Sequence, residues 1–117
     1  MMSESQKPIG ILVLAYGTPE SLDDVEPYFS HIRGGRKPSP EAVANLRERY
    51  SLVGGRTPLK DLTFNVAGKL QARLEAARPC PCRVYVGMKH WHPFIGEIIP
   101  KIAADGVEKV LALVLAP

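Results

Sequence analysis

The stretch "IGILVLAYGTPE", residues 9–20, decides the fold. Its first eight residues are apolar without alternation, which is typical of a strand buried on both faces of a parallel sheet. "TPE" then gives a helix start, with Thr18 as N-cap and Pro19 at the first helical position. Tyr16 is therefore expected at the tip of the strand, where the chain turns. A buried strand followed at once by a helix predicts an α/β fold.

The rest of the chain repeats this pattern of cap, proline and apolar stripe. The first helix carries a stripe of Leu22, Val25, Phe29 and Ile32, and the third carries Leu59, Leu62, Val66, Leu70 and Leu74. The elements predicted after the first strand are, in order, a helix stopped by Gly34 and Gly35, a helix over residues 39–50 capped by Ser39, a helix over 57–77 capped by Thr57, a strand over 83–88, a helix over 93–106 kinked at Pro100, and a strand over 107–117.

The order β-α-α-α-β-α-β predicts a layered α/β fold with a parallel sheet and right-handed crossovers. Ligands of such sheets bind beyond the carboxyl ends of the strands, which places Tyr16 and residues 88–92 at the ligand edge. We expect residues 1–8 to be disordered and residues 9–117 to form one domain. The last strand is the most apolar and nothing after it covers it, so the domain is expected to be truncated, or half of a larger fold.

Composition restricts the class of protein further. The chain has 117 residues, 45% of them hydrophobic, and a net charge of +3. Its longest apolar runs are far shorter than the ~20 residues of a membrane helix, and no signal peptide is visible, so a cytoplasmic location is expected. Cys80 and Cys82 are the only cysteines. They form neither a disulfide framework nor a complete zinc site, and a turn leading into a strand is the simpler interpretation.

Tyr16 is the first candidate site residue. The turn that holds it, "AYGTP", lacks both glycine patterns of nucleotide phosphate binding. A deprotonated phenol ligates ferric iron, and it needs a metal or nearby cations to ionise at neutral pH. Arg33, Arg36 and Arg49 are candidates for those cations. A simple packing role for the tyrosine is the alternative.

Two further segments carry candidate chemistry. "HIRGGRKP" places bases at a helix end, where they either complement the helix dipole or clamp a carboxylate. Nucleic acid is disfavoured, because aromatic residues are not interleaved with these bases. In "GMKHWHPF", His90 and His92 have a structural or capping role, bind a metal with further ligands, or carry protons.

The segments "GILVLAYGTPES", "YFSHIRGGRKPSPE", "LRERYSLVGGRTPL", "VYVGMKHWHPFI" and "LALVLAP" together resemble the N-terminal half of a ferrochelatase, in particular of the bacterial branch that metallates coproporphyrin. The resemblance runs from about Ile9 to Pro117. It implies a Rossmann-like, chelatase-type sheet with flanking helices, which is one half of a two-domain cleft fold. It also implies a cytoplasmic lyase of haem biosynthesis that inserts Fe(II) into coproporphyrin III or a related porphyrin without an organic cofactor, with a C-terminal half-domain as partner.

The same resemblance implies roles for five residues. Tyr16 would reach the iron of the bound product, and Thr57 would bond a propionate. The other porphyrin contacts would be Arg33, Arg49 and Tyr50. Gly34 departs from the family pattern, since close relatives often carry a second arginine there, and Pro100 interrupts a helix that is usually unbroken. The family's metal-handling His and Glu lie beyond Pro117, so no catalytic residue is expected within this chain and negligible activity is expected from it alone.

Three alternatives stay open from the sequence. A half-size homodimeric tetrapyrrole chelatase would use histidines, often in the first strand-to-helix turn, where this chain has Tyr16. A non-enzymatic porphyrin- or haem-binding module would use the same tyrosine and bases without turnover. A plain nucleotide-binding α/β domain is disfavoured by the missing glycine pattern.

Overall fold

A computed structural model describes residues 7–77 and 81–115 of the chain. Its described part is a parallel three-stranded sheet with four α-helices, which confirms the predicted fold class. None of the described helices has the length and apolar character needed to cross a membrane. The elements are β1 (Ile9–Ala15), a 3-10 helix (Leu22–Asp24), α1 (Val25–Ile32), α2 (Pro40–Ser51), α3 (Leu59–Ala77), β2 (Cys82–Met88), α4 (Ile95–Ala104) and β3 (Lys109–Val114).

The strand β1 lies in the middle of the sheet, in the order β2-β1-β3, and pairs in parallel with both neighbours. Ala15, its last residue, is opposite Met88, and Leu14 is opposite Val114. The carboxyl ends of all three strands therefore meet at one edge of the sheet, as the sequence predicts. Tyr16 follows directly at that edge.

The core consists of two clusters, one on each face of the sheet. Alternate residues of a strand point to opposite faces, so neighbours in β1 and β2 belong to different clusters. The first contains Val13, Ala15, Ala67, Val86 and Met88, with Ala67 contributed by α3. The second contains Leu12, Tyr85 and Ile102, with Ile102 contributed by α4. β1 and β2 are thus covered on both faces.

The first helix begins later than predicted, and the assignment of Thr18 as its cap is wrong. Thr18 is buried, and its hydroxyl oxygen lies 2.9 Å from that of Thr57. Pro19 is fully buried instead of opening a helix. Both residues are buried outside any helix, and helical structure begins only at the 3-10 turn starting at Leu22.

The glycines after α1 stop the helix as predicted. The Gly35 amide donates to the Ser30 carbonyl at 2.9 Å and the Gly34 amide to the His31 carbonyl at 3.1 Å, which is a Schellman motif. Gly34 has a φ of +72° and Gly35 of +90°. An arginine at position 34 would be strained in this backbone conformation.

The remaining helices match the predictions with local differences. Ser39 caps α2 as predicted, accepting a hydrogen bond from the Ala42 amide at 3.1 Å. α4 is two residues shorter at each end than predicted, and it continues through Pro100. In α3, Thr63 and Ala67 are the buried residues, whereas the first three residues of the predicted stripe, Leu59, Leu62 and Val66, are exposed. That part of the stripe lines an open cavity described below.

β3 differs from the other strands, because all six of its residues are exposed. Just before it, Glu108 forms an ion pair with Lys7 at 2.7 Å.

Of the segment predicted to be disordered, residues 1–6 lie outside the described residues, as does Cys80 of the cysteine pair. Cys82 is buried as the first residue of β2, one residue earlier than predicted.

Candidate functional site

Tyr16 lies directly after the last residue of β1 with 41% of its surface exposed. The turn after it depends on Gly17, which has a φ of +98°. A Cβ atom at this position would lie 2.9 Å from the Trp91 backbone nitrogen, so a side chain has no room there. The glycine therefore lets the loop after β1 lie against the loop after β2, while the tyrosine ring stays open to solvent.

One side of Tyr16 faces a groove with a volume of about 520 Å³, walled by α1 and α2. Three of the five predicted site residues, Tyr16, Arg49 and Tyr50, line this groove together. Its other lining residues are Tyr28, Phe29, Ile32, Ala42, Asn45 and Leu46. The groove combines flat aromatic and aliphatic surface with one guanidinium group.

Arg33 and Thr57, the other two predicted residues, lie beside the groove rather than in its lining. Arg33 ends α1, and its guanidinium carbon lies 5.9 Å from the centre of the Phe29 ring, a groove residue. Arg36 donates a 3.4 Å hydrogen bond to the Arg33 carbonyl. Thr57 is half-buried, with its hydroxyl engaged by Thr18. The basic rim at the end of α1 is therefore adjacent to the groove wall.

The other side of Tyr16 borders a second cavity of about 330 Å³. This cavity is almost wholly apolar. Its lining comes from the ends of β1 and β3 and from α3: Ala15, Tyr16, Leu59, Leu62, Thr63, Val66 and Leu115. Tyr16 thus stands between a groove with polar groups and an apolar, open surface.

Tyr28 is a groove residue that the sequence reasoning missed. It is buried, and its hydroxyl donates a 3.2 Å hydrogen bond to the Gly17 carbonyl. Burial, reinforced by Tyr50, raises the pKa of Tyr28, so its phenol stays protonated and can keep donating. Its position three residues after Val25, on the same helix face, is the signal that would have found it.

The two histidines of "GMKHWHPF" have different environments. His90 is buried, and its Nδ1 atom lies 3.0 Å from Nδ1 of His31. Burial lowers the pKa of His90, as do the charges of Lys89 and His31 to a lesser extent. His92 is exposed and paired with Glu97 at 2.5 Å. Within residues 7–77 and 81–115, no group of three or more His, Cys, Asp and Glu side chains is arranged to hold a metal ion.

A family model described as Ferrochelatase matches residues 8–117. The chain belongs to the ferrochelatase family. The match covers nearly the whole chain, including every candidate site residue, and it agrees with the resemblance drawn from the sequence motifs.

Individual relatives support the same assignment. The chain is 52% identical over 107 residues to the ferrochelatase of Herpetosiphon aurantiacus, and 46% identical over 113 residues to the coproporphyrin III ferrochelatase of Oceanobacillus iheyensis. These alignments cover 92% and 96% of this chain, but only 35% and 36% of the respective relatives. The chain therefore spans about a third of the length of the curated ferrochelatases that it matches.

Proposed function

We propose that this chain supplies a porphyrin-binding part of a ferrochelatase that inserts Fe(II) into coproporphyrin III or a related porphyrin. The observation that carries the proposal is the placement of Tyr16, an exposed phenol at the carboxyl edge of the sheet, in one groove with Arg49 and Tyr50. Family membership supports the reaction, and the printed name of the Oceanobacillus relative supports the choice of porphyrin.

The groove suits the chemistry of a porphyrin. The apolar macrocycle would lie against Phe29, Ile32 and Tyr50, whose side chains line the groove. Arg49 in the groove and Arg33 beside its wall would bind the propionates, since guanidinium groups hold carboxylates through paired, charge-assisted hydrogen bonds. Thr57 is proposed to bond a further propionate. Such contacts hold and orient the ring.

Tyr16 would meet the metal of the bound product. A phenolate oxygen is an established axial ligand of haem iron. In this proposal Fe(II) is a substrate and no organic cofactor takes part. The alternative in which the tyrosine only packs against the core would require a buried side chain, whereas 41% of this one is exposed.

We further propose that the chain has negligible chelatase activity alone and works with a C-terminal half-domain. The described residues contain no cluster of metal-ligating side chains, and the family resemblance assigns the metal-handling His and Glu to positions beyond Pro117. Incubating the isolated chain with Fe(II) and coproporphyrin III, and following product absorbance, tests this. Metallation at a rate comparable to that of a full-length relative would contradict it.

Binding is tested by titrating the chain with ferric coproporphyrin III. We expect a tyrosinate-iron absorption spectrum that is absent in Tyr16→Phe, and about tenfold weaker binding in Arg49→Ala, since a hydrogen bond to a charged group contributes roughly 1.5–3 kcal/mol. Tyr85→Phe is the matched control, because that phenol lies in the core cluster beneath α4 and bonds Asp105. An unchanged spectrum in Tyr16→Phe would refute the proposed role of the tyrosine.

A further inference from the structure

The Tyr16 ring is held against His90. The two ring centres are 4.6 Å apart, with an angle of 64° between the ring planes, an edge-to-face contact. The His90 amide donates a 2.9 Å hydrogen bond to the Tyr16 carbonyl, and the Lys89 amide donates one of 3.0 Å to Ala15. Backbone hydrogen bonds thus fix the position of both residues, and the tyrosine ring contacts the imidazole beside it.

His31 in turn fixes the orientation of that imidazole. The 3.0 Å separation of the two Nδ1 atoms is a hydrogen bond only if one nitrogen carries a proton and the other accepts it. The His31 ring also packs on Phe94, with ring centres 4.9 Å apart and an angle of 31° between the ring planes. His90 therefore cannot rotate about its side-chain bonds without losing its bond to α1.

We propose that the His31–His90 pair is a positioning device, which holds the Tyr16 ring at the boundary of the two cavities and couples its orientation to α1. The positioning rests on the contacts above, and its consequence for ligand binding rests on the proposed function. α1 also supplies Tyr28 and Phe29 to the groove wall. A ligand seated on that wall therefore acts on the same helix that orients the tyrosine.

Nuclear magnetic resonance on the ligand-free chain tests the positioning directly. In the wild type we expect cross-relaxation between the Tyr16 and His90 rings. In His31→Leu we expect it to fall at least about threefold, because one bond that fixes the imidazole is lost. His31→Asn places an amide group near the position of Nδ1 and should restore the signal. His92→Leu is the matched control, since His92 is exposed and paired with Glu97 instead. An unchanged signal in His31→Leu overturns the proposal.

A titration with ferric coproporphyrin III tests the consequence. We expect roughly fivefold weaker binding in His31→Leu, within the range of one lost aromatic contact, and no further weakening when His31→Leu is added to Tyr16→Phe. Equal losses in both backgrounds would show that His31 acts on the ligand without Tyr16, which overturns the coupling. Absence of a Tyr16-dependent spectrum in the wild type would instead defeat the proposed function, and the resonance experiment would still decide the positioning.

Discussion

The two outer strands of the sheet differ in burial: β2 is covered by other parts of the chain, and β3 is exposed. Both faces of β2 are covered, and its outer edge is bonded by a side chain: the Gln71 amide donates to the Cys82 carbonyl and accepts from the Val84 amide, each at 2.7 Å. In β3, by contrast, Leu111 is 62% exposed and Val114 is 61% exposed. Native proteins usually shield such a strand edge.

The candidate site has one side next to each of these strands, and the two sides differ in the same way. The loop after β2 holds His90 and Trp91 against the loop of Tyr16, so this side is complete within the described residues. On the side of β3, Leu115 and the exposed start of α3 leave an apolar cavity open. We therefore expect mutations in β2 and its covering helices to change stability, and mutations in β3 to have little effect.

Met88→Ala should have the largest effect. Met88 ends β2 and is only 1% exposed, so its truncation should lower the free energy of unfolding by about 3 kcal/mol through lost burial and a residual cavity. Leu111→Ala in β3 should cost less than about 0.5 kcal/mol, because that side chain is already in contact with solvent. Urea denaturation at low protein concentration measures both. Similar losses in the two variants would show that β3 is covered in solution, by self-association of the chain.

Gln71→Leu should have a smaller effect. The variant keeps the size of the side chain on α3 and removes both hydrogen bonds to the edge of β2, so we expect a loss of about 2 kcal/mol. Amide hydrogen exchange at Val84 should accelerate at the same time. Asn65→Ala, an exposed amide on the same helix, is the control and should be nearly neutral. Unchanged exchange at Val84 would mean that the edge is protected by something other than this side chain.

Tyr85→Phe in β2 should have a smaller effect than Gln71→Leu, about 1 kcal/mol at neutral pH, from the lost 2.8 Å hydrogen bond to Asp105. Burial, together with that bond and the Asp105 charge, raises the pKa of Tyr85 to about 12. A phenol in an unfolded chain ionises near pH ~10, so the native state holds this proton more tightly. The resulting stabilisation is complete below pH ~10 and is lost as the pH rises through about 12.

Urea denaturation between pH ~9 and ~12 checks this dependence. The stability of the wild type should fall more steeply with pH than that of Tyr85→Phe. The variant keeps part of the slope, because the pKa of Tyr28 is raised as well. Asp105→Asn, which keeps an acceptor but removes the charge, should give an intermediate slope. Parallel curves for the wild type and Tyr85→Phe would be the contrary result.

Local sequence signals predicted most of the fold. The buried strand β1 followed from its uninterrupted apolar run, and the end of α1 followed from Gly34 and Gly35, since both signals lie in neighbouring residues. The start of the first helix was predicted wrongly because Thr18 bonds Thr57, which is 39 positions away. The buried face of α3 depends on which strands lie beneath it, and so the apolar stripe alone could not identify it.

The site was predictable only in part. Tyr16 could be placed at the strand end from the pattern, and Arg49 and Tyr50 came from the family resemblance. The contact between His31 and His90 could not be predicted, because they lie 59 positions apart and meet only when α1 packs beside the loop after β2. Tyr28 was accessible from helical spacing, but its bond to Gly17 depends on the turn that the glycine makes.

That glycine turn has a practical consequence for engineering. The loop after β1 can lie close to Trp91 in the loop after β2 because position 17 has no side chain. This close approach depends on backbone sterics at Gly17 and not on the identity of the surrounding side chains. A mutagenesis library that randomises Asn45 and Leu46 while preserving Gly17 would therefore sample new ligand preferences on an unchanged frame. A library that varies Gly17 would mostly yield misfolded members.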